Sequence, residues 1–570
     1  MTPTSQDSPN PPRKTFLRKW LLALAVSLAA ALAVVSPFFW LGTASGHDIQ
    51  FHAGSWLDVA GQWKEGIVFP RWAEWANHGF GEPRFIFYPP LSWLLGAALG
   101  CVVAWNSVPM VFIVLVQTMA GLFTFSVVRR MLPERAALFG AAFYAANPNA
   151  LLIVYTRSDY AELLAMAFFP LLLLTALQVS GIAENSCQQP RRTIAIFSVV
   201  FAAVWLSNAP AGVMASYTVA LLFAWAAVTE KSWRPLLRGA AGLALGFGLT
   251  GFYLLPAAYE QRWVNIGQVL SSGLLPAENF LFTRIGDPEH NAFNWIASSV
   301  AVLMIVMTAV ASGAAYLKAA EKDRKKFWGA LLLISAAASV MMIRVTSILW
   351  NVLPKLRFVQ FPWRWMSILA VPWVFFVAAA CGRRKFWWLW GGVALALLAG
   401  TGAYVVKHTW WDAEDIPTLR AGIAEDRGFD GADEYDPLGD DHYNLPEKAA
   451  QVKVLPAEHA AGATPSALIR VERWTAEEKE LRVTSRGPLR LALRLLNYPA
   501  WHVQVNGAVV TPESGEDFSQ MILPLGSGES HIVVRFARTK DRTLGNVLSG
   551  VSLLAALAML CWPRKHGGEE

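Results

Sequence analysis

Three short stretches of this chain gather side chains that could do chemistry. The first is Gly46-His47-Asp48-Ile49-Gln50-Phe51-His52, an acid between two imidazoles. On a helix Asp48 and His52 share a face at i, i+4. Asp48 then suits a general base, with His47 and His52 as binding partners and a divalent metal as a further use. The other reading is a helix N-cap by Asp48. The second stretch is Tyr155-Thr156-Arg157-Ser158-Asp159-Tyr160-Ala161-Glu162. Glu162 opens an apolar run, where a carboxylate is costly unless it is paired or faces a cavity. Asp159 and Glu162 serve either a site or a helix N-terminus, whose dipole both complement. The third is Leu356-Arg357-Phe358-Val359-Gln360-Phe361-Pro362-Trp363-Arg364-Trp365. Arginine binds phosphate bidentately. The same residues also describe an aromatic belt with snorkelling arginines. Arg262 and Arg284 are further cations with the same two readings.

Other chemistries lack their residues. Cys101, Cys187, Cys381 and Cys561 are widely spaced and sit in or beside apolar stretches. They support neither a disulfide framework nor a thiolate metal site. There is no HExxH helix, P-loop or GxSxG elbow. Gly246, Gly248 and Gly251 fit GxGxxG by spacing, but inside an apolar span with no strand before them. With Gly242 they read as small-residue helix packing. Glu65, Arg71, Glu74, Glu82 and Arg84 lie among Trp63, Trp72 and Trp75, a pattern that stacks sugar rings or anchors in headgroups.

The elements that must position these groups lie in a membrane. Of 570 residues, 55% are hydrophobic and only 16% charged. Soluble domains carry about 25% charged residues, so an ordinary cytosolic enzyme and a disordered scaffold are both excluded. Spans of about 20 apolar residues are needed to cross the bilayer. Twelve stretches qualify or nearly do, centred on 20–41, 108–128, 135–154, 161–180, 193–209, 211–229, 236–257, 294–317, 327–345, 364–381, 386–406 and 543–562. Leu91 to Trp105 follows Pro89-Pro90 and is short, which suits a juxtamembrane helix. Keeping it out of the bilayer places Arg129, Arg130 and Arg135 in the cytoplasm, as the positive-inside rule prefers. Arg13, Lys14, Arg18 and Lys19, Arg191-Arg192, Lys231, Arg234 and Arg238, Lys318 to Lys326, Arg383-Arg384-Lys385 and Arg564-Lys565 then fall on the same side. The net charge of +7 is thereby explained without nucleic acid. The first segment has the basic start and small residues of a cleaved signal peptide, but its apolar run continues through Pro37-Phe38-Phe39-Trp40, which favours an uncleaved signal-anchor.

The expected organisation is a cytoplasmic N-terminus (1–19), a transmembrane part (20–406) with a first outer loop (42–107), an outer region (407–541), and a last span with a short cytoplasmic tail (542–570). Residues 408–447 are acidic and turn-rich, with Asp433-Glu434-Tyr435-Asp436-Pro437 and Asp440-Asp441. From Ala467 onward short alternating stretches and Asn506-Gly507 predict hairpins and a β-sandwich.

This arrangement resembles the GT-C superfamily of membrane glycosyltransferases. Asp48 matches the family's acid after the first span, Tyr88-Pro89-Pro90-Leu91 its juxtamembrane element, and Asp159 and Glu162 its second acidic motif. The chain is also similar to a family of bacterial membrane proteins labelled "6-pyruvoyl-tetrahydropterin synthase-related". That likeness rests on His47–His52, Gly79-Phe80-Gly81-Glu82-Pro83, Glu162-Leu163-Leu164-Ala165, Gln360-Phe361-Pro362-Trp363-Arg364 and Asp433-Glu434-Tyr435. Asn497-Tyr498-Pro499-Ala500-Trp501 with Asn506-Gly507 resembles the C-terminal part of YfhO-like membrane proteins. Nothing supports pterin chemistry.

The resemblance implies a mainly α GT-C-like bundle of about 12 spans plus a juxtamembrane helix, with an extracytoplasmic β-sandwich-like domain, in the bacterial cytoplasmic membrane. It implies transfer of a sugar from a polyprenyl-phosphate donor to a glycan, lipid or protein acceptor in the cell envelope. Asp48 would be the base. Beyond Asp48 the resemblance assigns no site residue; from their own chemistry, His47, His52, Arg157, Asp159, Glu162, Arg284, Arg357, Gln360 and Arg364 are taken to bind substrate, with Arg284, Arg357 and Arg364 on the donor phosphate. Asp48, Asp159 and Glu162 are the candidate ligands for a divalent cation, Mg or Mn, although no cofactor is fixed. The alternatives are a lipid or glycolipid transporter, and a non-catalytic envelope-assembly protein that presents its outer domain.

Overall fold

The computed structural model describes residues 13–182, 190–316, 322–382, 387–439, 445–457 and 466–562. Cys187, residues 318–321 of the basic run, Arg383-Arg384-Lys385, Asp440-Asp441 and Arg564-Lys565 lie outside the described residues. Ten described helices are long and apolar enough to cross a membrane, and two bent pairs bring the number to twelve if each is one span. The chain is a multi-pass membrane protein, mainly α, with antiparallel sheets near its C-terminal end.

The two bent pairs are the stretches expected as straight spans at 236–257 and 327–345. Arg234–Leu249 and Gly251–Trp263 meet at 75°, and Lys325–Met341 and Arg344–Val352 at 87°. The first bend has a visible cause. Ser549 of the last helix inserts its hydroxyl at the break, donating to the Gly248 and Leu249 carbonyls and accepting from the Phe252 amide at 2.8 Å. Side-chain insertion into the helical ladder is a recognised origin of kinks. The glycines read as packing residues do pack: Gly242 lies against Phe197, Gly246 against Phe201 and Gly248 against Ser552.

Pro90–Gly100 is an apolar helix of 11 residues. At 1.5 Å per residue it is far too short to span. A second observation agrees with this count of crossings. Lys19 Nζ lies 2.7 Å from Glu134 Oε2, so the start of the first span and the 129–135 turn meet. Arg129 also sits over the Trp20 ring.

Among the described residues nine strands form two antiparallel sheets. The first has order β1 (Val452–Pro456), β4 (Leu489–Leu496), β8 (Gln520–Leu525), β7 (Glu513–Ser514); the second has β2 (Ala467–Trp474), β3 (Glu478–Ser485), β9 (Gly528–Phe536), β5 (Trp501–Val505), β6 (Ala508–Val510). Leu481, Val483, Val503, Ile532 and Val534 of one sheet share a core with Leu491, Leu493, Met521 and Leu523 of the other, as in a sandwich. Asn506 and Gly507 carry positive φ at the β5–β6 turn, as the Asn-Gly signal predicts. β1, β7 and β8 lie beyond the alternation visible in the sequence. Within the acidic stretch the structure adds a helix, Asp415–Ala424.

The long loop expected at 42–107 is not free-standing, since it shares the sandwich core. Trp72, Phe80, Ile86 and Phe87 join the same cluster. Trp72 packs on Trp501 at 5.3 Å and Phe80 on Phe518 at 5.3 Å. Leu489–Leu496 alternates in sequence, as expected, but in the structure both of its faces are buried, Ala492 and Arg494 included, with only Arg490 half-buried. Buried charges reinforce the junction: Lys479 Nζ pairs with Glu74 at 3.2 Å, and Glu82 pairs with Arg84 at 2.5 Å. Asn77 Nδ2 donates to Asp436 at 2.8 Å, and the Ala432 amide donates to Glu82 at 2.9 Å.

Glu260 ties the sandwich to the membrane part. Its carboxylate takes two bonds of 2.7 Å from Arg542 of the last helix and one of 2.6 Å from the Tyr498 hydroxyl. Removing one partner strands a buried charge, which typically costs about 3–5 kcal/mol. Glu260→Ala should therefore lower the thermal unfolding midpoint of the detergent-solubilised protein by several degrees. A melting curve that matches the unsubstituted chain would refute this anchor.

Asp58, on the helix Ile49–Lys64, gives a pH test. It is fully buried and accepts from Gln62 Nε2 at 2.6 Å and the Trp75 amide at 3.0 Å. Burial pushes its pKa up to about 7, against the opposing pull of these bonds. The folded state thus holds a proton that the unfolded chain releases near pH 4. Stability contributed by this group falls as pH rises from about 4 to 7, by at most roughly 4 kcal/mol. Asp58→Asn should flatten that slope in melts taken across the same window.

Candidate functional site

The site is assembled where the first loop meets the segment between two spans. Ile153–Arg157 forms a π-helical turn, Ser158 follows in the left-handed region (φ 54°, ψ 32°), and Asp159 caps the helix Tyr160–Ser180. Single π turns recur at functional positions. Asp159 Oδ1 accepts from the Glu162 amide at 2.8 Å, so this acid is a helix cap as well as a site residue.

The reversal at Ser158 aims the Arg157 guanidinium into a nest of carboxylates. Arg157 donates to Glu162 Oε2 at 2.5 Å, to Asp159 Oδ2 at 2.7 Å and to Asp48 Oδ2 at 3.3 Å. Arg364 approaches from the other side, with Nε 3.1 Å from Glu162 Oε2 and Nη2 3.6 Å from Asp159 Oδ2. Its remaining nitrogen donates to the Val359 carbonyl at 3.0 Å and to Gln360 Oε1 at 3.2 Å. Phe361 and Trp363 cover the two guanidinium groups. Gln360 holds its turn with positive φ and donates to the Val269 carbonyl at 2.8 Å.

Asp48 precedes the helix Ile49–Lys64, but its side chain makes no cap bond. It turns to Arg157 instead and remains 39% exposed, while the Asp159 and Glu162 side chains are at most 4% exposed. The Asp48 loop is laced to the Arg157 segment by backbone. The Asp48 amide donates to the Arg157 carbonyl at 2.8 Å, and Ser158 Oγ bridges the Ala44 carbonyl and the Gly46 amide.

His52 lies one turn on, buried, with Nε2 3.7 Å from Asp159 Oδ1. The rings of Tyr88 and Tyr160 wall it in. Burial alone would raise the Asp159 carboxyl, but Arg157, helped by His52 and Arg364, holds it well below the ordinary carboxylate range. Burial pushes the Tyr88 hydroxyl well above its usual value, and Asp159 and Asp48 push it further, so Tyr88 stays protonated.

The structure thus brings together Asp48, His52, Arg157, Asp159, Glu162, Gln360 and Arg364. His47 is exposed at the rim, edge-on to Phe293. Arg357 is exposed on the turn Leu356–Val359. Arg284 is also exposed, and lines a separate hollow of roughly 400 Å3 with Asn291 and Trp295. Neither arginine pairs with an acid among the described residues.

A resident divalent cation fits this donor set poorly. Both oxygens of Asp159 and both of Glu162 already accept from arginine, a backbone amide or Ser367. A metal on Asp48, Asp159 and Glu162 would have to displace a guanidinium.

Ser367, Asn149 and Asp415 join the site from outside the three stretches singled out by sequence. Ser367 Oγ donates to Glu162 Oε1 at 2.7 Å, and Asn149 Nδ2 donates to Ser367 at 2.9 Å. Both are buried polar groups in apolar spans, the signal that drew attention to Glu162. Asp415, which accepts from Gln50 Nε2 at 3.3 Å, had no signal among its acidic neighbours.

No protein-family model and no curated protein sequence matches the chain. Among solved structures, arabinofuranosyltransferase AftD from Mycobacteria aligns at TM-score 0.42 and 18% identity, over 72% of this chain and 29% of that one. The Archaeoglobus fulgidus oligosaccharyltransferase in the apo form aligns at TM-score 0.38 and 14% identity, over 74% of this chain and 57% of that one. The chain therefore spans well under two thirds of the length of either protein.

Gly46 supplies a test of the site's construction. A Cβ there would lie 2.5 Å from the Arg157 carbonyl carbon and 2.7 Å from the Ser158 amide nitrogen, both backbone. Overpacking of this kind costs about 1–3 kcal/mol. Gly46→Ala should lower the melting midpoint and open the 42–48 segment to protease. Unchanged protection of that segment would show that the lacing is dispensable.

Proposed function

We propose that the chain is a membrane glycosyltransferase of the GT-C kind. It moves a sugar from a polyprenyl-phosphate-linked donor to a glycan, lipid or protein acceptor on the extracytoplasmic side of the bacterial cytoplasmic membrane. The observation that carries the reading is Asp48: among the three carboxylates of the cluster, it alone is substantially exposed.

Asp48 is positioned to accept the proton of an acceptor hydroxyl. The acceptor oxygen then bonds to the anomeric carbon, and the bond from that carbon to the donor phosphate breaks. The electron pair leaves on the phosphate. Asp159 and Glu162 are committed to Arg157 and Arg364, so their role is to fix the two guanidinium groups. Arg157 in turn orients Asp48. Arg284 and Arg357 are the cations left to meet the leaving phosphate, an electrostatic clamp on developing charge. Basic ends on the opposite side of the spans support placing both chain termini in the cytoplasm.

Asp48→Asn keeps the side chain's size and removes the base. General-base catalysis contributes about 10²–10⁴-fold, so transfer should fall by at least about 100-fold at unchanged protein level in the membrane. The measurement is mass spectrometry of cell-envelope glycans in cells lacking the protein, complemented with either version. Product restored to the unsubstituted level by the Asn variant would overturn the assignment.

A further inference from the structure

A second charged hollow lies away from this site, where the first loop, the sandwich and the last helix meet. It has a volume of roughly 390 Å3 and is lined by Phe69, Arg71, Phe252, Glu477, Arg538 and Arg542, among others. Its charges do not balance. Arg542 is matched by the bidentate bond to Glu260. Arg71 and Arg538 form no ion pair among the described residues, and Glu477 is the one acid lining the hollow beside them. The Arg71 backbone amide faces the Glu477 carboxylate, and Glu477 Oε1 is shielded without a partner.

Arg71 is the informative member. Its guanidinium leans on the Phe69 ring at 4.6 Å, partly withdrawn from water. Burial and then the neighbouring Arg542 lower its pKa to about 10. An arginine held this way, with a second one nearby, awaits an anion. Tetrahedral oxyanions suit paired guanidinium groups because each presents two parallel donors.

The position of the hollow says what carries the anion. It opens at the first turn of the last candidate span, Lys540–Cys561, only 17% of whose most apolar window is buried. Leu553 and Leu557, both exposed, continue along the face of that helix that carries Arg542 and Asn546 and lead away from the hollow. A phosphate in the hollow would thus have a lipid-facing track beside it for hydrocarbon chains.

We infer that this hollow is a lipid-phosphate site, in which Arg71 and Arg538 bind the phosphate of an anionic phospholipid whose chains lie along Leu553 and Leu557. The occupant clamps the sandwich to the bilayer beside the Glu260–Arg542 anchor. The inference does not depend on the reaction proposed for Asp48.

The test is native mass spectrometry of the full chain in detergent, titrated with phosphatidylglycerol, with phosphatidylcholine, and with phosphatidylglycerol plus millimolar inorganic phosphate. The unsubstituted chain should retain phosphatidylglycerol over phosphatidylcholine. Each arginine near a membrane surface contributes about fivefold in affinity, so R71A/R538A should lose about 25-fold. Arg538 is exposed, so R538E alone leaves the fold intact and should abolish the preference for the anionic lipid. Equal retention of phosphatidylglycerol by the unsubstituted chain and both variants would overturn the site. Full displacement by inorganic phosphate would overturn the lipid assignment and give the hollow to a free phosphate.

Discussion

Everything at the candidate site depends on one buried guanidinium. Arg157 touches three carboxylates drawn from two distant segments. Taken out of water singly, each of these charges would be prohibitively costly. Together they form an array of two arginines and three acids, in which Asp159 and Glu162 are fully engaged and Asp48 is not. The imbalance leaves negative charge at the rim, on the group with access to solvent. The same contacts therefore do two things: they make the buried acids tolerable, and they hold the remaining acid in place.

That array stands only because its surroundings are rigid. The Asp48 loop is stitched by backbone to the Arg157 segment, and the Ser367–Asn149 pair supports Glu162 from behind. Farther out, the first loop and the sandwich share one hydrophobic core, so neither has a complete interior alone. Glu74–Lys479 and Glu82–Arg84 lie in or beside that junction, so these charges of the Trp-rich loop are buried pairs. Glu260, through Arg542 and Tyr498, carries the constraint down to the membrane-spanning part. The sandwich is thus built into the wall of the molecule rather than tethered to it.

Much of this was legible in the sequence. Apolar run length marks the spans, since a helix must satisfy its own backbone in lipid. The shortness of Pro90–Gly100, with Pro89-Pro90 before it, marks a non-spanning helix. Alternation and Asn506-Gly507 mark the sandwich, because a strand with one face in the core must alternate. Asp48, Arg157, Asp159, Glu162 and Arg364 stand out because ionisable groups beside apolar runs are expensive. All of these are local rules, readable over one or two dozen residues.

What local rules do not carry is which expensive groups share their cost. Arg157 meets Asp48 across 109 positions, and Ser367 meets Glu162 across 205. Arg284 and Arg357 have the same composition signal as Arg364, yet only Arg364 enters the cluster. The bend near Thr250 needs Ser549, almost 300 positions away. β4 alternates in sequence, yet its second face is buried too, with Arg494 lying against Gly79 of a loop some 400 residues earlier. Sequence by itself determined the kinds of element, and the residues that could not be left unpaired. The tertiary structure alone decided the pairings, because ion pairs and hydrogen bonds act over a few ångströms of space and are indifferent to distance along the chain.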